Sequence, residues 1–286
     1  MSLTERAAWI LERNASESQT LAGLAAACGV SRSHLAHAFG TATGTPVMQY
    51  LRGRRLSEAA RSLAAGAPDI LTVALDTGYG SHEAFTRAFR DQFGRTPESV
   101  RQQGSLEGLP LVASVELHGA ADRQVESPRF VTSTATRAVG LTESVSFATT
   151  MRIPGQWQRF MSQHFDAIPH RIEGMPIGLT LPADDDGGFA YACAVEVRSF
   201  DDAPAGLDRF DLPARSYAVF EHHAHVSTIF DTYAAIWNVW LPAAGRSAAD
   251  APAIEHHHDA FDPSTGEGGL SIWIPLTPAT APPRTP

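Results

Sequence analysis

The apolar positions of this chain follow two rhythms, helical over the first hundred residues and largely alternating over the last hundred and fifty. Leu21, Leu24, Ala25 and Cys28 fall at i, i+3, i+4 and i+7, one face of a helix. Ile70, Val73, Ala74 and Thr77 repeat the spacing. Each predicted helix stops at a glycine, Gly29 or Gly78, where the chain wants a left-handed backbone that glycine adopts without strain. Val30 or Tyr79 comes next to plug the turn, and the second copy carries one extra residue, Gly80. Ser31 and Ser81 stand where their side-chain oxygens accept from the free amides of the next helix. In that helix Leu35, Ala38 and Phe39 make an apolar stripe, matched by Phe85, Ala88 and Phe89. Gly44 and Gly94 end it, and Pro46 and Pro97 open the next segment. A short helix, a glycine turn and a second amphipathic helix make a helix-turn-helix, and the pattern occurs twice.

Between the copies, "PVMQYLRGRRLSEAARSLAAG" reads as one long helix with Val47, Leu51, Ala59, Ala60 and Leu63 inward. Arg52, Arg54, Arg55 and Arg61 are expected mostly outward. A rigid helix between two readers holds them at a fixed spacing. About 34 Å, one turn of DNA, lets two recognition helices enter successive major grooves.

The back half carries a second repeat. Residues 129–141 read as a strand, and Ile153-Pro154 opens a helix with Trp157, Phe160, Met161, His164, Phe165 and Ile168 on one face. The strands "MPIGLTLP" and "GFAYACAVEVR" come after it, across a turn at "ADDDG". Then "RSYAVFEHHA" is a strand, and residues 226–241 a helix facing Ile229, Phe230, Tyr233, Ile236, Trp237 and Trp240 inward. "APAIEHHHDAF" and "GLSIWIPL" are two more strands. The unit is β-α-β-β, twice, which predicts a mixed sheet with helices on one face and a cleft between the halves.

The fold class expected is therefore α+β in two domains. Residues 1–104 form an all-α double helix-turn-helix domain, 105–127 a linker with one candidate strand at 109–117, 128–277 the duplicated β-α-β-β domain, and 278–286 a Pro-rich tail. Charge sharpens this division. Residues 1–104 hold 11 Arg against 9 acids, and residues 105–286 hold 11 Arg against 22 acids, within an overall net charge of −9. The acidic total argues against non-specific nucleic-acid binding but leaves DNA open to the front domain. Cys28 and Cys193 lie far apart and make neither a disulfide framework nor a zinc spacing. They read as small buried residues in a reducing compartment. The N-terminal stretch has acids among its bases and no long apolar core, so it does not read as a signal peptide. No run approaches the ~18 apolar residues of a membrane span. A cytoplasmic protein without membrane contact is expected.

Residues 1–101 resemble the DNA-binding domain of AraC-type transcriptional regulators, through "SRSHLAHAFGTATGTPVMQYLRGRRLSEAARSL" and "TVALDTGYGSHEAFTRAFRDQFGRTPESVR". Helical geometry places Ser33, Ala36, His37 and Gly40 opposite the core stripe of the first reader. Glu83, Thr86, Arg87 and Arg90 lie opposite it in the second. Arg grips guanine bidentately, Glu accepts from cytosine, and Thr touches a thymine methyl. Base contacts are thus expected from Ser33, His37, His82, Glu83, Thr86 and Arg87, with discrimination weighted toward the second helix. Arg32, Arg52, Arg54, Arg55, Arg90 and Arg95 are the candidates for phosphates, which position without specifying. Each of these arginines also has a reading as a solvated surface charge.

Residues 128–277 resemble the GyrI-like effector-binding domain found behind such readers and in multidrug-responsive regulators. The matching stretches include "IPGQW", "LPARSYAVFEHHAHVS", "IWNVWLPAAG" and "PAIEHHHDAFDP". The resemblance implies a pocket for bulky, often aromatic or cationic molecules, with a glutamate at its floor that maps onto Glu255. Trp157, Tyr191, Trp237 and Trp240 are candidate walls, able to meet a cation through their ring faces. At helical spacing they also read as core. The runs "EHHAH" at 221–225 and "EHHHD" at 255–259 have the density of metal ligands. Neither follows a zinc spacing, and they read better as a polar strand face. No cofactor or metal is expected. The partners are an operator in double-stranded DNA, a small-molecule effector, and RNA polymerase if the protein activates transcription. Two other readings remain open for the back half: hydrolysis of small electrophilic toxins with Glu255 as base, and docking of a protein partner at the cleft.

Overall fold

Ser2 opens the first helix with a capping box, accepting from the Glu5 amide while the Glu5 carboxylate accepts from its own. The apolar pattern does not announce this helix, α1 (Leu3–Arg13). A computed structural model of the chain describes residues 2–14, 19–67, 69–114, 125–145, 147 and 150–278. Six further helices complete the front: α2 (Leu21–Cys28), α3 (Arg32–Thr43), α4 (Val47–Ala64), α5 (Ile70–Asp76), α6 (His82–Phe93) and α7 (Pro97–Gln103). The turn glycines do what their positions require, with φ of +71° at Gly29 and +83° at Gly78. Ser31 accepts from the His34 amide at 3.1 Å and Ser81 from the Ala84 amide at 3.2 Å.

The long helix α4 serves two cores. Val47, Tyr50 and Leu51 pack with Leu11, Leu21, Leu24, Leu35 and Phe39 around the first reader. Leu56, Ala59, Ala60 and Leu63 pack with Ile70, Val73, Phe85, Phe89 and Val100 around the second.

Arg54 corrects the outward reading of this helix. It is buried, its Nε 2.7 Å from one oxygen of Glu12, with another nitrogen donating to the Val112 carbonyl at 2.8 Å. A guanidinium with that many fixed acceptors ties α1, α4 and the segment after α7 together and has no face left for a phosphate. That segment is also not a free linker. Leu106, Leu109 and Leu111 pack against the second core, and the Val112 amide donates to Ser57 at 2.9 Å. The strand expected at 109–117 is irregular backbone over 109–114, and its remainder lies outside the described residues.

The back half is an eight-stranded sheet in the order β1-β6-β8-β7-β3-β4-β2-β5. Its strands are β1 (Arg129–Thr132), β2 (Thr136–Val145), β3 (Ile177–Thr180), β4 (Phe189–Val197), β5 (Asp208–Leu212), β6 (Ser216–His222), β7 (Ala253–His257) and β8 (Leu270–Pro275). Every strand pairing among the described residues is antiparallel, so the expected mixed sheet is corrected. The order reads the same from either edge when the first four strands are exchanged for the last four. The two units therefore meet at the β3–β7 pair, and each is β-β-α-β-β. The expected strand at 129–141 is two strands, because residues 133–135 leave the sheet and β1 crosses to pair with β6. β5 is silent in the sequence pattern because "DRFDL" is a polar edge strand with no alternating apolar signal.

Both helical segments over the sheet contain a π turn at matching places. The first runs α8 (Ile153–Arg159) into a π turn at Phe160–His164, and the second runs α9 (Ile229–Ala235) into one at Ile236–Trp240. The wider turn shifts the helical register. As a result Met161, expected inward with Phe160, is 41% exposed.

Candidate DNA-reading and effector sites

Glu255 lies on β7 and faces the helices. Its two oxygens accept from two phenols, Tyr191 at 2.6 Å and Tyr233 at 2.8 Å. Burial first, and then the neighbouring carboxylate, push both phenols well above the usual tyrosine range, so they remain protonated donors. Trp157 on α8 donates its indole N–H to the Tyr191 hydroxyl at 3.2 Å and stands edge-on to the His257 ring. Among the described residues Glu255 makes no ion pair. The carboxylate is 7% exposed, so it is held by neutral donors alone.

Two aromatic rails lead away from it. Along β4, alternation puts Phe189 on the same face as Tyr191. Along the second helix, Trp237 lies one turn beyond Tyr233. The rails converge on a residue from the other domain. The His37 ring stacks on Trp237 with centroids 4.9 Å apart and lies 5.3 Å from the Phe189 ring and 6.1 Å from Phe147.

His37 belongs to α3, the recognition helix of the first reader, whose supposedly free face is covered. Ser33, His34, Ala36, His37 and Gly40 are all buried. A Cβ on Gly40 would fall 2.0 Å from the Phe147 ring, so any larger residue would have to displace that ring. Polar contacts surround the aromatic centre. The Ser33 amide donates to Asp250 at 2.8 Å, the Ala183 amide to Ser33 Oγ at 3.3 Å, and Thr4 to Asn238 at 3.0 Å. His34 lies within hydrogen-bond reach of the Trp237 carbonyl at 3.4 Å and Ser247 Oγ at 3.3 Å. Burial pulls both His34 and His37 down to about 4, so both rings are neutral near pH 7.

The loop between β3 and β4 completes the contact. Arg32 pairs with Asp185 at 2.9 Å and Arg52 with Asp186 at 3.4 Å. The Met48 amide donates to the Asp186 carbonyl at 3.3 Å. A cavity of about 230 Å³ remains beside α3, lined by Gly40, Thr41, Gly44, Phe147, Thr150 and Phe230.

The second reader is different. His82, Glu83, Arg87 and Arg90 on α6 are exposed. Thr86 is half-buried, its hydroxyl sheltered and without a partner. Arg55 is half-buried on α4, and burial lowers its pKa. Arg95 is half-buried and donates to Gln103 at 3.2 Å. Of the candidate base readers, Ser33 and His37 are therefore turned into protein, and of the phosphate candidates Arg32 and Arg52 are engaged by aspartates.

The effector candidates also divide. Tyr191 bonds Glu255, Trp157 bonds Tyr191, and Trp237 meets His37. Trp240 stands apart: its ring meets Phe220 and Phe130 at the β1–β6 edge, because three residues through a π turn carry it off the Tyr233–Trp237 line. Sequence reasoning misses Tyr233 and Phe189 as site residues, although Tyr233 sits one turn from Trp237 on the predicted inward face. The histidine runs are split among separate partners. His222 bonds Thr232, His225 lies at the Thr265 carbonyl, His257 at the Pro176 carbonyl, and His258 at Glu221. The His256 ring lies tilted against Trp273, and burial holds it near 4. Strand β6 ends at His222, so the run at 221–225 is a strand face only at its start. Among the described residues no group of three or more His, Cys, Asp or Glu is arranged to hold a metal ion, and no helix is long and apolar enough to cross a membrane.

Comparison with known proteins finds a match in each half of the chain. Residues 126–277 match the GyrI-like small molecule binding domain, and residues 24–103 match a helix-turn-helix domain. The transcriptional regulator Rob of Salmonella typhimurium is 26% identical over 271 residues, covering 92% of each chain. The right origin-binding protein of Escherichia coli is 25% identical over 277 residues, 93% of each chain. The probable transcription factor PqrA of Proteus vulgaris is 38% identical over 90 residues, 32% of this chain and 74% of its own. This chain belongs to the GyrI-like family, joined to an AraC-type helix-turn-helix front. It is a DNA-binding transcription regulator with a small-molecule-binding domain.

Proposed function

We propose that the chain binds its operator through two unequal readers and senses a bulky, lipophilic cation at Glu255, among the aromatic rings around it. Arg87 and Glu83 on α6 read base edges, with His82 and Thr86 beside them. Arg90, Arg95 and Arg55 engage phosphates, joined by Arg32 and Arg52 whenever the first reader is on DNA. As an activator the protein would work by contacting RNA polymerase, and its place of action is the cytoplasm, with the chromosome.

The observation that carries the effector's chemistry is the state of Glu255. A carboxylate taken out of water is costly unless it is paired, and two phenols only partly offset the loss. A cation seated between Trp157, Tyr191, Tyr233 and Trp237 would supply the missing charge and meet ring faces. Calorimetric titration of a lipophilic aryl cation and its neutral isostere tests this. The parent should prefer the cation, and Glu255→Gln should lose that preference by tenfold or more, on the order of 1.4 kcal/mol. Equal affinity for both probes in the parent would refute the cation reading.

A further inference from the structure

Three aspartates of the C-terminal domain hold groups of the first reader that suit a phosphate oxygen. Asp250 accepts from the Ser33 amide at 2.8 Å, in the first turn of α3. Unpaired amides and the helix dipole make that place attractive to a phosphate oxygen. Asp185 pairs with Arg32 and Asp186 with Arg52, the two arginines best placed flanking that helix to grip a backbone. Between the acidic contacts, where base edges would lie, the face bearing Ser33, Ala36, His37 and Gly40 meets Ala183, Phe147, Phe189 and Trp237. Both polarity patterns of a DNA groove, anionic rims and a flat contact surface between them, are thus reproduced by protein.

We propose that this contact is an autoinhibitory clasp, in which the effector domain stands in for DNA on the first recognition helix and leaves only α6 free to search. The inference rests on the DNA-binding reading and deepens it. The same side chains cannot hold aspartate and phosphate together, so docking of the first reader on DNA requires α3 to leave the cleft. An equilibrium between clasped and released forms then sets the apparent affinity, which is reduced by the fraction clasped. The clasp's exposed ion pairs are individually weak. Its hold comes from the three pairs together with the buried aromatic centre, a balance that a ligand or an operator is able to tip.

The test uses the full chain and 30-base-pair duplexes recovered by it from a random pool. Asp185→Asn/Asp186→Asn/Asp250→Asn removes the anionic contacts, and Asp185 and Asp186 are exposed enough for the fold to be spared. Phe147→Ala loosens the aromatic centre independently. Dissociation constants are measured by fluorescence anisotropy across a salt series. The triple variant should bind about tenfold more tightly than the parent, with a salt slope steeper by about 2, near 0.9 for each phosphate contact regained. Phe147→Ala should tighten binding in the same direction. If parent, triple variant and Phe147→Ala share one affinity and one slope, the clasp is wrong and the regulator reading stands. If no duplex is bound by any of them, the DNA-binding reading falls and takes the clasp with it.

Discussion

His37 of the first recognition helix lies flat on Trp237 of the effector domain, with ring centroids 4.9 Å apart and planes 19° from parallel. One contact thus joins the face proposed for DNA to the aromatic rings proposed for the effector. Trp237 stands one helical turn from Tyr233, which holds Glu255.

The clasp couples the two ligands of the protein. A cleft ligand that needs the Trp237 and Phe189 faces binds better once α3 has left, and so does DNA. By linkage each should raise the affinity for the other by the same factor. A saturating lipophilic aryl cation should tighten DNA binding by the parent several-fold. It should have little effect on the triple aspartate variant, which is already released. Anisotropy titrations with and without the cation measure this, and weaker DNA binding on adding the cation would show the opposite coupling.

Acid should open the clasp. His34 and His37 are held near 4 when buried, against about 6.5 for an exposed imidazole. The released form therefore binds protons more readily than the clasped form. Above about pH 6.5 neither ring is charged in either form and the clasp is unaffected. As pH falls from 6.5 toward 4, protonation favours release. The charged groups packed near these rings are Arg32, Asp185 and Asp250. Solution scattering at pH 7.5 and 5.5 should show a more extended particle at the lower pH. An unchanged radius of gyration would argue that the histidines are not at a separable interface.

Arg87→Ala should weaken binding to the selected operator by about 1–3 kcal/mol and relax one base position. Arg87 is exposed on α6, so its loss should leave stability nearly unchanged. Repeating the duplex selection on the variant checks it, and recovery of an identical motif would remove Arg87 from base reading.

Arg54→Ala should instead act on the fold. The guanidinium makes two short contacts to Glu12 and one to the Val112 carbonyl. Losing charge-assisted bonds at a nearly buried site costs about 2 kcal/mol. Urea denaturation should register that loss, whereas Arg52→Ala, at an exposed pair, should move the midpoint little.

The fold is largely legible in the sequence because its signals are local. Gly29, Ser31, Gly78 and Ser81 punctuate the readers through backbone and capping geometry that a short window contains. The π turns are not legible, since nothing in "FMSQH" or "IWNVW" announces a change of helical register, and the expected places of Met161 and Trp240 fail accordingly. Arg54 departs from its expected place for a related reason. Its helical position is right, but its partner Glu12 lies on a helix that pattern alone does not reveal. The largest gap concerns α3. One face packs on its own domain as the spacing requires, while the polar and small residues of the other face, Ser33, Ala36, His37 and Gly40, look equally suited to a DNA groove and to a protein surface. Only the position of Asp185, Asp186 and Asp250 across the domain boundary shows which is met here, and in sequence they look like turn and loop acids.

The most direct measurement is the reactivity of individual histidines in the DNA-free, full-length chain toward diethyl pyrocarbonate, read by mass spectrometry. His82 on the open helix α6 is an internal reference for an exposed imidazole. Clasping predicts that His37 modifies at least tenfold more slowly than His82 in the parent and gains reactivity in the triple aspartate variant. Equal rates for His37 and His82 in the parent would contradict a first reader held against the effector domain.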